Sequence, residues 1–106
     1  MPTEPEVPTV SEIVKVAADA ADPTGADDAV AEFFARFEDR DEPVTAVTDT
    51  VADEFIEMAR AIDLDGDSKA LDAAVKVATY LVFRPVQIGT DRAELIRLAE
   101  RAESNR

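Results

Sequence analysis

The sequence predicts an all-α fold, a single small bundle of about five helices with the helix near 68–83 at its centre. Three observations lead there. Apolar residues recur at steps of three and four in five separate stretches, the spacing of one helix face. Each stretch follows a Ser, Thr, Asp or Pro suited to a helix start and is closed by Pro, Gly or clustered Asp. The chain has 106 residues, 46% of them hydrophobic, which fills one modest core and leaves no room for a second domain. The expected domain covers 9–103, after a disordered Pro/Glu tail over 1–8 and before a frayed end at 104–106.

In the tail Pro2, Pro5 and Pro8 recur among Glu and Thr, a pattern of extended, solvated chain. Thr9 and Glu12 stand at capping-box spacing, and Val10, Ile13, Val14 and Ala17 share one face, so a helix is expected over 10–21. Asp22-Pro23-Thr24-Gly25 is a turn signature. Thr24 with Asp27 then opens a helix expected over 25–39, whose stripe of Val30, Phe33, Phe34 and Phe37 is an aromatic core ridge. Acidic residues around Arg40 lead to Pro43. From there Val44, Val47, Val51, Phe55, Met58 and Ile62 keep helical step, which predicts one helix over 44–62. Residues 43–50 are rich in β-branched side chains and offer an edge strand as the alternative.

The fourth stretch is the most apolar. Asp67 or Ser68 caps it, Leu71, Ala74, Val75, Ala78, Leu81 and Val82 form one face, and Val77, Tyr80 and Phe83 widen the apolar surface round the cylinder. A helix covered on more than one side belongs at the centre of a bundle, and Pro85 stops it. Val86 to Gly89 reads as a short extended connector. Asp91 and Glu94 cap a last helix over 91–103, which buries Leu95, Ile96, Leu98, Ala99 and Ala102. No internal repeat is expected. Core or interface positions are Phe33, Phe34, Phe37, Phe55, Leu71, Val75, Ala78, Tyr80, Leu81, Val82, Leu95 and Leu98.

Twenty-four acidic against 11 basic residues give a net charge of −13. Such self-repulsion costs stability in dilute salt and is screened in concentrated salt. With Lys only at 15, 69 and 76 and an Ala- and Val-rich interior, the composition points to a cytoplasmic protein adapted to high salt. No apolar run reaches the ~18 residues of a membrane span, and the acidic, Pro-rich start is unlike a signal peptide. No membrane association is expected.

The chain has no Cys and no His, which removes disulfides, the usual structural zinc sites and the common nucleophile–base pairs of hydrolases. Gly25, Gly66 and Gly89 are too scattered to cradle a phosphate. No pair among the carboxylates is singled out for acid–base work, and the chain is not expected to be an enzyme. Asp63, Asp65 and Asp67 match positions 1, 3 and 5 of a calcium loop. Ser68 stands where the sixth-position Gly belongs, and Ala74 where the bidentate Glu belongs. With Asp72 as a fourth ligand, this allows at most weak Mg²⁺ or Ca²⁺ binding; no other cofactor is expected.

Residues 84–106 carry five Arg and four acids, net +1, while 1–83 carry net −14. Arg84, Arg92, Arg97 and Arg101 could therefore face nucleic acid in a helix-turn-helix-like arrangement, although the connector is long for that motif and Glu94, Glu100 and Glu103 offer the arginines nearer partners. The function expected is non-catalytic: a protein interaction or adaptor module presenting a helix face to a protein partner or to a second copy.

Overall fold

A computed structural model describes residues 7–104. Five α-helices follow one another, α1 Val10–Ala21, α2 Asp28–Phe37, α3 Thr48–Ile62, α4 Lys69–Phe83 and α5 Arg92–Ser104, with 3₁₀ turns at Val44–Ala46 and Pro85–Gly89. The fold is a small all-α bundle, with no β-strand among the described residues beyond one isolated bridge pair, Thr9 with Pro43. α4 is central and packs against each of the other four helices.

Local chemistry moves three boundaries from those expected. α2 starts at Asp28 rather than near 25, because the Asp27 carboxylate accepts from Ala29 N–H at 2.9 Å and Val30 N–H at 3.1 Å and so sets the cap. The expected helix over 44–62 is two pieces. The chain turns in a 3₁₀ segment at Val44–Ala46, leaves helical geometry at Val47 (φ −129°, ψ 16°) and restarts at Thr48. Val44 is fully buried, and its N–H donates to Pro8 O at 2.9 Å, so the segment is held by the chain preceding α1 as well as by its own turn. The same bond means that order reaches Pro8, within the span 1–8 expected to be a tail; residues 1–6 of that span lie outside the described residues. The connector after α4 is a 3₁₀ turn rather than extended, begun by Pro85, whose fixed φ suits a first helical position.

Apolar stripes from all five helices close one core around Ile13, Val14, Phe33, Phe55, Leu81 and Leu95. Phe33, Phe37 and Phe55 meet edge to face with centroids 4.9–5.7 Å apart, a geometry that sets ring edges against ring faces. Leu71, Ala78 and Val82 are buried with them. Phe34, Val75, Tyr80 and Leu98, also expected inside, are only half-buried.

Arg40 engages one acid of the run between α2 and α3 and one acid on α3 itself. Its guanidinium meets the Glu54 carboxylate on α3 through two hydrogen bonds of 3.0 and 3.2 Å and reaches Glu42 at 2.9 Å. The backbone of this loop meanwhile serves α1: Arg40 O accepts from Ser11 N–H at 2.9 Å and Glu42 O from Val10 N–H at 3.1 Å. Thr9 Oγ1 takes the Glu12 N–H, so the first donors of α1 are satisfied.

An internal repeat, not expected from the sequence, emerges from the loops. After α1, Asp22 O accepts from Gly25 N–H, the Asp22 carboxylate accepts from Ala26 and Asp27 N–H, and Gly25 takes φ +69°. After α3, Asp63 O accepts from Gly66 N–H, the Asp63 carboxylate accepts from Asp67 and Ser68 N–H, and Gly66 takes φ +68°. Asp27 and Ser68 then cap α2 and α4, and Ser68 Oγ donates to Asp27 Oδ2 at 3.0 Å across a separation of 41 residues. The same step carries Val10 to Val51, the 3₁₀ turn at Val44 to that at Pro85, and Val51 to Arg92, the first residue of α5. The chain thus repeats a two-helix unit, α1–α2 and α3–α4, and α5 starts at the same step of 41.

Candidate functional site

α4 has more apolar surface than the bundle covers. Leu71, Ala74, Val77, Ala78, Leu81 and Val82 are buried, whereas Val75, Thr79 and Tyr80 are half-buried and Phe83 is 58% exposed. Those four occur at helical spacing and line an open groove of about 700 Å³ that runs along α4 from Lys69 to Arg84. One wall is α3, through Ile56, Ala59 and Arg60; the other is α5, through Ala99 and Ala102; the Asp63–Ser68 loop closes one end. Small side chains at 59, 99 and 102 keep both walls low, which is why α3 and α5 flank α4 there without covering it. Thr79 Oγ1 is shut off from water and makes no hydrogen bond among the described residues, an unmet polar group within a mostly apolar lining.

The groove inverts the charge of the molecule. Among the described residues, four of the chain's 11 basic residues, Arg60, Lys69, Lys76 and Arg84, line it, with only Asp63 and Asp72 of its 24 acids. The groove is therefore +2 in a chain of −13. Lys76 holds Asp72 at 3.0 Å, while Arg60, Lys69 and Arg84 make no ion pair within 4.0 Å among the described residues.

The carboxylates proposed from the sequence as cation ligands do not converge. Asp63 spends both oxygens on the N–H groups of Asp67 and Ser68, at 3.2 and 2.7 Å, and so closes the loop rather than facing a cation. Asp65 and Asp67 are exposed on the loop, and Asp72 is held by Lys76 on α4. No group of three or more carboxylates is placed to hold a metal ion among the described residues.

The arginines proposed for nucleic acid are also dispersed. Arg97 pairs with Glu94 on α5, Arg92 and Arg101 are exposed there, and Arg84 belongs to the groove. The resolved electrostatic shifts lie elsewhere, at Arg40 and Glu42. Glu54 holds Arg40 above its ordinary value, chiefly through its hydrogen bond. The Glu42 carboxyl is lowered, first by its own backbone N–H and then by Arg40. Both shifts describe the clamp between α1, α2 and α3.

Arg60, Lys69, Lys76, Thr79 and the low alanine walls escaped the sequence reading. One signal for two of them was present: Lys69, Lys76 and Phe83 follow one another at steps of seven, along one side of the helix.

Fold and groove together define the class, a small all-α bundle with one open helix face. Comparison with known proteins adds nothing to it: no family model, no curated protein and no solved structure matches the chain. No helix of the described residues is long and apolar enough to cross a membrane.

Proposed function

We propose that this protein is a non-catalytic interaction module that holds a protein partner against the open face of α4 and works in concentrated salt. The observation that carries the reading is the apolar stripe along the central helix, where Phe83 is 58% exposed and Val75 and Tyr80, half-buried against the core, still line an open groove. At 58% exposure, Phe83 forgoes somewhat over half of the ~1.5–3 kcal/mol that full burial of such a side chain contributes. The absence of His and Cys from the chain supports a binding role over catalysis. The surface charge supports a high-salt, cytoplasmic setting, where screening removes the repulsion among 24 acids.

A photo-crosslinking side chain at position 83 tests this reading, with position 15 on the exposed side of α1 as control. The expected result is one discrete product at molar KCl from position 83 alone, identified by mass spectrometry as one protein and lost on Tyr80→Glu. Equal products from both positions, or none from 83, would refute a docking role.

A further inference from the structure

Resting on that docking role, we infer that the groove's occupant is an amphipathic α-helix of the partner, about four turns long and acidic along its flanks. Three observations on the shape and charge of the groove lead there.

The first is the repeat. α4, the second helix of its unit, packs on the first helix of that unit, α3, and on the first helix of the unit before, α1, beside α2. Applied once more, the same rule would lay the second helix of a third unit on α5 and on α3, beside α4. Those three helices are the ones that wall the groove. The geometry that built the bundle therefore prepares a seat shaped for one more helix.

The second is length. The lining spans α4 from Lys69 to Arg84, and the 15 residues of α4 are roughly 22 Å long, room for about four turns of a helix laid alongside. An apolar stripe at three-and-four spacing would meet Val75, Thr79, Tyr80 and Phe83, as in other helix-in-groove complexes.

The third is charge. Arg60 lies on the α3 wall and Lys69 and Arg84 at the two ends of the α4 lining, none of them in an ion pair among the described residues, so carboxylates on the incoming helix would meet cations there. Elsewhere the chain carries 22 acids and seven bases and repels an acidic partner. At 1 M salt that repulsion is confined to about 3 Å, so only charges that come into contact still count.

The test is calorimetric titration, at the lowest KCl that keeps full helicity, with a 15-residue Leu/Ala-striped helical peptide flanked by Glu and with its twin flanked by Lys. Amide shifts of the protein are followed alongside. The Glu peptide is expected to bind and to shift the amides of Val75, Thr79, Tyr80 and Phe83. Binding should weaken about tenfold in the triple variant Arg60→Gln, Lys69→Gln, Arg84→Gln. All three positions are exposed, and the variant's helicity is checked by circular dichroism. Equal binding of the Lys peptide, or an unchanged affinity in the triple variant, would overturn the acidic helix and leave the docking role standing. Shifts at the same amides that grow with protein concentration without peptide would place a second copy in the groove and overturn the inference. No shift there with either peptide would overturn both the inference and the docking role.

Discussion

Asp22 and Asp63 show how much one short side chain decides. Each ends a helix, accepts two backbone N–H groups and orders the loop that starts the next helix. Asp63→Ala is expected to cost about 1–2 kcal/mol, read from chemical unfolding at molar KCl, because two donors lose a charged acceptor. Gly66 adopts φ +68°, so Gly66→Ala should cost roughly 1 kcal/mol even with open space around its Cα. At Glu42 the sign follows from the direction of its shift. A carboxyl held below the ordinary value of about 4.3 contributes stability above that pH and loses it as pH falls through the folded value. The difference in stability between the protein and Glu42→Gln should therefore be present at pH 7 and close below about pH 4; a gap that persists in acid would contradict the clamp. The sequence offered Asp63, Asp65 and Asp67 both as a turn leading to a capped helix and as a weak cation site. Spacing alone could not reveal that Asp63 is committed to its own loop, since an N-cap loop and a calcium loop draw on the same residue types.

At the scale of elements, the five helices and the centrality of α4 were legible because capping residues and apolar steps agree. The breaks were not. Val44 to Ile62 keeps helical step throughout, yet the chain leaves helical geometry at Val47, after a 3₁₀ turn whose Val44 N–H is held by Pro8 O, far away in sequence. The repeat was hidden because few residues match at a step of 41; Val10 with Val51, Asp22 with Asp63 and Gly25 with Gly66 are among those that do. What repeats is the hydrogen bonding of two loops, which side-chain identity encodes at only a few positions. The Phe33, Phe37 and Phe55 cluster is where α2 and α3 depend on each other. Phe55→Ala should cost about 3–5 kcal/mol, and partial helix loss in circular dichroism would accompany it.

For the whole molecule, net charge and groove carry the two halves of the proposal. With a net charge of −13 the bundle should lose helicity in dilute buffer and regain it at molar KCl; ellipticity indifferent to KCl would remove the high-salt reading. The excess apolar surface of α4 was visible in Val77, Tyr80 and Phe83 at the sequence level. That it opens between two low walls and under four cations was not, because Ala59, Ala99 and Arg60 come from elements whose placement only the fold supplies. The double variant Tyr80→Ser, Phe83→Ser decides whether this face is kept for a partner or for the core. Its unfolding midpoint and its crosslinking from position 75 would be measured together at molar KCl. The midpoint should move by no more than a few degrees while the crosslinked product disappears. A collapse of the midpoint with the product intact would show that the face belongs to the core and contradict the account.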